Sequence, residues 1–114
     1  MIEVEKVSGI GEFLVEKFKP EEKDDFGGRK EEEIRVFKTL GGKAFFVDRL
    51  HTIEVRTDKQ LKNLLIKKYE SVMESRYFGR GGIEIVNSGQ LEKAELEDLI
   101  RLSYNLTKEI NEVI

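Results

Sequence analysis

Between residues 96 and 110 the chain places Leu96, Leu99, Ile100, Ser103, Leu106, Thr107 and Ile110 on one stripe with a period near 3.6. This is the strongest constraint in the sequence, because a one-sided apolar helix must bury that side against another layer. Glu92, Glu95, Glu97 and Asp98 crowd its first turns, where carboxylates oppose the positive end of the helix dipole. The segments before it are β-prone. Ile34-Arg35-Val36-Phe37-Lys38 and the short apolar run Ala44-Phe45-Phe46-Val47 flank Gly41-Gly42, a pair suited to a hairpin turn. Thr52-Ile53-Glu54-Val55-Arg56 alternates with period two, as a half-buried strand does. Asp48 to His51 is then a turn, and the three runs form an antiparallel meander.

The remaining elements fill in around this frame. Thr57 or Asp58 caps a helix carrying Leu61, Leu64, Leu65 and Tyr69. After Val72-Met73, Arg76-Tyr77-Phe78 reads as a short strand, broken by Gly79-Arg80-Gly81-Gly82 before a last strand at Ile83-Glu84-Ile85-Val86. Near the start, Ile10, Phe13, Leu14 and Phe18 fall on one helical stripe, with Ser8 as cap and Lys19-Pro20 as stop. Residues 20–33, charged and holding Gly27-Gly28, read as a mobile loop around Phe26. The expectation is a single compact α+β domain over residues 1–114, with an antiparallel sheet of about five strands and three helices in the order α-β-β-β-α-β-β-α.

Composition narrows the chemistry. With no cysteine among 114 residues, disulfides, thiolate catalysis and Cys-based zinc sites are excluded. No apolar run approaches the length of a membrane span, and MIEVEKVSG lacks a signal-peptide core, so a cytoplasmic domain is expected. Charged residues make up 38% of the chain, a Lys/Glu richness that points to a heat-loving source. The net charge of −3 is unevenly spread. Residues 1–34 carry six basic and eleven acidic groups, and residues 91–114 carry three and six. Between them, residues 35–90 carry eleven basic and six acidic groups, a segment of +5 inside acidic ends. Such asymmetry fits an anionic partner.

No enzyme signature emerges. His51 is the one histidine and has no second His or Cys with which to build a metal site. Asp24-Asp25 and Glu31-Glu32-Glu33 read as solvated acidic runs, and Gly79-Arg80-Gly81-Gly82 lacks both the Lys-Ser/Thr and the helix of a phosphate loop. Ser103 lies on an apolar stripe, where a hydroxyl bonds a backbone carbonyl. No metal and no cofactor are expected. What remains is a basic set, Arg56, Lys59, Lys62, Lys67, Lys68, Arg76 and Arg80, with Tyr77 and Phe78 interleaved. Lysine and arginine on one face supply phosphate contacts, and a solvated, ion-paired helix face is the plainer reading of the same residues.

From residue 35 onward the chain resembles the MmcQ/YjbR family of small proteins. The stretches that carry the likeness are VFKTLGGKAFF, IEVRTD with the helix that runs on to Lys68-Tyr69, SRYFGRGGIEIV, and LEDLIRLSYNLT with its Ser103-Tyr104 pair. The likeness covers about 80 residues by motif matching. It implies a compact α+β "double wing" fold with an antiparallel sheet, a DNA-binding label, and a distant similarity to the N-terminal domain of the competence regulator TfoX. Members commonly carry two basic residues and then His-Trp at the start of the last strand. This chain reads Arg80-Gly81-Gly82-Ile83 there.

The functional expectation is a non-enzymatic domain that binds DNA or another nucleic acid through Lys59, Lys62, Lys67, Arg76 and Arg80. About four or five phosphate contacts would give a log–log salt slope of roughly −4. The alternative is a protein-interaction or self-associating domain, a homo-oligomer among the options, using Ile66 and the acidic N-terminal segment.

Overall fold

The structure is a computed structural model that describes residues 2–19, 21–23, 29–31 and 33–112. A 3-10 turn at Val4–Lys6 precedes β1 (Phe13–Phe18), β2 (Glu21–Lys23), β3 (Arg29–Glu31), β4 (Ile34–Thr39), β5 (Ala44–Asp48) and β6 (Thr52–Arg56). Then come α1 (Lys59–Lys68), β7 (Val72–Ser75), β8 (Gly79–Val86) and α2 (Lys93–Glu112). Six strands form one antiparallel sheet in the order β1-β4-β5-β6-β8-β7, and β2 pairs with β3 separately. Among the described residues the fold is α+β, with six strands in its main sheet and two α-helices where five strands and three helices were expected. No described helix is long and apolar enough to cross a membrane.

The missing helix is the N-terminal one. Residues 13–18 pair with β4 in six consecutive registers, from Phe13↔Thr39 to Phe18↔Ile34. A nine-residue stripe is too short to hold a helix without tertiary support. Val15 and two phenylalanines suit a pleated ladder, and β4 offers an open edge to pair with. The loop expected at 20–33 is also partly corrected, since Glu21↔Glu31 and Lys23↔Arg29 are paired across β2 and β3. Its glycines, with Phe26, lie outside the described residues.

Residues opposite one another in an antiparallel ladder share a face. Phe37, Phe46 and Val55 lie in one such row, Ile53, Ile85 and Val72 in another, and all face the helices. There they pack against Leu99, Ile100 and Tyr104 of α2, with Leu61 and Leu65 of α1 at the margin. Two successive phenylalanines reach this core because of a β-bulge. The β4–β5 register steps from Phe37↔Phe46 to Lys38↔Ala44, leaving Phe45 as the extra residue. Its ring stands edge-on to Tyr104 at 5.1 Å.

The bulge also explains Ser103. The β5–β6 ladder ends at Phe46↔Val55, so the carbonyl of Phe45 and the amide of Arg56 lack a strand partner. The Ser103 hydroxyl, buried on α2, donates to Phe45 O at 2.5 Å and accepts from Arg56 N at 2.8 Å. Helix and sheet are thus joined by one side chain whose carbonyl partner, as expected, is backbone.

Asp58 caps α1 by accepting from Leu61 N at 2.8 Å. Leu64, expected on the buried stripe, is exposed, while Lys62 is buried. The strand expected at residues 76–78 lies at Val72–Ser75 instead, and residues 76–78 turn. The glycine run lies within β8, which starts at Gly79, and interrupts only the pairing with β7, where the register steps from Glu74↔Ile83 to Ser75↔Gly79. Gly82 is needed there, because a Cβ would come within 2.5 Å of Val55 O and 2.8 Å of Phe78 Cβ.

Candidate functional site

The sheet face away from the helices carries Ile34, Val36, Ala44 and Val47, a second small apolar cluster. Thr52, Glu54 and Arg56 point to that side too, alternating with Ile53 and Val55. A solvated polar face was the expectation for them. Instead Glu54 is 0% exposed, and Glu84, its cross-strand neighbour, is 2% exposed. Two buried carboxylates side by side demand donors.

The donors come from the β5–β6 and β7–β8 turns and from Ser75 and Thr52 at the adjoining strand ends. Arg49, 4% exposed in the β5–β6 turn, gives its Nε to Glu54 at 2.5 Å. Ser75 Oγ and Tyr77 N donate to the other Glu54 oxygen at 2.8 and 2.9 Å. Glu84 accepts from Arg76 Nε and Nη2 at 3.0 and 2.7 Å, a two-pronged pair, and from Thr52 Oγ1 at 2.8 Å. Burial pushes the Glu84 carboxyl up. The hydrogen bonds of Arg76 and Thr52, with the charges of Arg76 and Arg49, outweigh it and hold the group below the usual carboxylate range. Both oxygens of each acid are occupied, so neither is poised as a general acid or base.

What these carboxylates do is fasten the β7–β8 connection onto the sheet. Phe78 N donates to Ser75 Oγ at 2.8 Å, continuing the chain of bonds from Glu54. Phe78 then lies over Gly82 and packs against the second apolar cluster. Tyr77 is left 40% exposed, its ring edge-on to Phe78 at 5.1 Å.

Beside these rings is Arg56. Its guanidinium lies 4.9 Å from the Phe78 ring centre, and its Nε donates to Ala44 O at 2.8 Å. Burial lowers its basicity, opposed by Tyr77. No carboxylate among the described residues pairs with it, in a chain holding 23 acidic side chains. A half-buried arginine over an aromatic ring, with no carboxylate on its terminal nitrogens among the described residues, has the chemistry to accept a planar or tetrahedral anion. Lys38 stands near Tyr77 and shares its charge with Glu16 at 2.5 Å, which raises its pKa.

The five basic residues singled out from the sequence do not share one surface. Lys62 is buried beneath α1, where its ammonium pairs with Glu74 at 2.5 Å and with Arg80 O at 3.2 Å. That hydrogen bond, with the charges of Lys62 and Arg80, draws the Glu74 carboxyl below its ordinary value. Lys62, Glu74 and Arg80 therefore gather on the helix side of the sheet edge. Arg76 is bound to Glu84 on the opposite side. Lys59 and Lys67 are exposed on α1. Lys67 lies five positions after Lys62, which turns it well away around the helix. Arg56 is in the basic set that the sequence offers but outside the five residues expected to bind nucleic acid, and Lys38 is in neither. The signal for Arg56 is the strand alternation that puts it on the side of Glu54.

His51 is exposed in the β5–β6 turn, with its backbone bonded to Arg49 and Asn87. Among the described residues no three His, Cys, Asp or Glu side chains are grouped to hold a metal ion. No family model, no curated protein and no solved structure matches this chain.

Proposed function

We propose that the protein is a non-enzymatic nucleic-acid-binding domain that takes single strands at Arg56, Tyr77 and Lys38. One observation carries the reading: a half-buried arginine with no acidic partner among the described residues lies over Phe78, whose ring is edge-on to an exposed Tyr77 that buried Glu54 holds by its backbone amide. In this arrangement Tyr77 offers its face to a base, and Arg56 and Lys38 meet the neighbouring phosphates. Stacking of this kind tolerates any base and favours unpaired strands. The saturated hydrogen bonding of Glu54 and Glu84 supports a scaffold role for them. The same reading treats the chain as a divergent relative of the MmcQ/YjbR proteins, since the stretches that carry that likeness fall on β4–β5, β6–α1, β7–β8 and α2.

Titration of a fluorescein-labelled oligonucleotide, as single strand and as duplex, tests this by anisotropy at several salt concentrations. Tighter binding of the single strand, weakening as salt rises, is the expected result. Equal and salt-independent anisotropy for both forms would overturn it.

A further inference from the structure

The two edges of the six-stranded sheet are built differently. The β7 edge is short at four residues, bulged between Glu74 and Ser75, and packed alongside α1. Those are the usual devices that blunt an edge. The β1 edge has none of them. It is six residues long, runs in unbroken register with β4, and contains no proline or glycine. No described strand lies outside it. Every residue after Phe13 is exposed, including Leu14 at 51%, Val15 at 46% and Phe18 at 37%. Apolar side chains project from both faces of this strand, so a partner adding a strand would bury surface above and below the sheet.

From this we infer that β1 is a self-association edge, at which a second copy of the chain adds its own β1 antiparallel to form a continuous twelve-stranded sheet. The charge pattern selects the partner. Glu16 and Lys17 leave the strand with no net charge, so two copies meet without repulsion. A two-fold axis normal to the sheet must pass between the strands, at a residue that faces its own copy. An axis at Glu16 or at Lys17 sets like charges directly opposite, which is unfavourable. An axis at Val15 sets valine against valine, Phe13 against the stem of Lys17, and Leu14 against the stem of Glu16, whose carboxylate stays paired with Lys38. That register places no like charges together. It shares Lys38 with the nucleic-acid site through Glu16 but uses neither Arg56 nor Tyr77, so the failure of one reading leaves the other standing.

Light scattering on the full chain across a micromolar-to-millimolar series tests the inference. The mass is expected to climb from 13.2 kDa towards twice that value. Val15→Lys, which puts lysine against lysine on the axis, is expected to remain at the monomer mass at every concentration. In this cysteine-free chain, Val15→Cys is expected to give a covalent dimer under mild oxidation, while Ser88→Cys in the β8–α2 turn is not. The inference is overturned by a wild-type chain that stays monomeric throughout, by a dimer that Val15→Lys leaves intact, or by equal cross-linking at positions 15 and 88. The cross-linking arm stands even if the lysine variant does not fold.

Discussion

At the level of single residues, three polar side chains hold positions that apolar ones would fill in a simpler domain. Ser103 closes the gap left where β5 and β6 part, satisfying Phe45 O and Arg56 N together. Ser103→Ala leaves both buried groups unpaired, and the expected loss in urea denaturation is about 1–3 kcal/mol. A change within about 0.5 kcal/mol, the range of ordinary surface substitutions, would contradict that role. Glu54 is the harder loss, because its neighbours Arg49 and Tyr77 N were brought to it. Breaking a buried pair of this kind is worth about 3 kcal/mol or more, so Glu54→Gln is expected to lower the melting temperature markedly. Glu84 adds a pH dependence. Its folded pKa lies below the ordinary 4.5, so its contribution to stability is complete above that value and is lost as pH falls through the folded one. The melting temperature is expected to fall below pH 4.5, and Glu84→Gln to be less stable at neutral pH but flatter across the acid range. Parallel acid profiles for the two proteins would contradict the assignment.

At the level of elements, the β7–β8 connection decides what the sheet can do. It crosses the face away from the helices because Gly82 leaves room for Phe78, and this sets the Phe78 ring against Arg56 with Tyr77 edge-on beside it. Gly82→Ala forces Phe78 or the Val55 carbonyl to give way. Overpacking of this size costs about 1–3 kcal/mol. The same variant is expected to weaken oligonucleotide binding more than its loss of stability alone would explain, as read by anisotropy on the folded fraction. The meander β4–β5–β6, the Asp58 cap and the long α2 were legible in the sequence because each is specified locally, by alternation, by a capping side chain or by a 3.6-residue stripe. β1 was not. Its apolar residues at 13, 14 and 18 satisfy a helical stripe by coincidence, and only the open edge of β4 decides between the two. The β-bulge at Phe45, which lets both Phe45 and Phe46 face the helices, leaves no local signal either. Lys62 shows the same limit from the other side. Its place next to Leu61 puts it at the margin of the buried stripe, where a long stem can be covered while the ammonium finds Glu74.

At the level of the whole molecule, net charge is a poor guide to partners. The basic middle segment exists, but folding divides it: Lys62 and Arg76 are spent on Glu74 and Glu84, on opposite faces of the sheet. With few cations left to contact phosphates at one place, the salt dependence of binding should be shallow. The two cations of the site, Arg56 and Lys38, give a log–log slope of about −1.4 on a single strand, against roughly −4 for a broad basic face. The most direct test compares Arg56→Gln with the double variant Lys59→Gln/Lys67→Gln on α1 in a titration of labelled single strand at low salt. Arg56→Gln is expected to lose at least about tenfold in affinity, the scale of one charge-assisted contact, while the α1 double variant stays within about twofold. Retention of affinity by Arg56→Gln together with loss by the α1 variant would contradict the account.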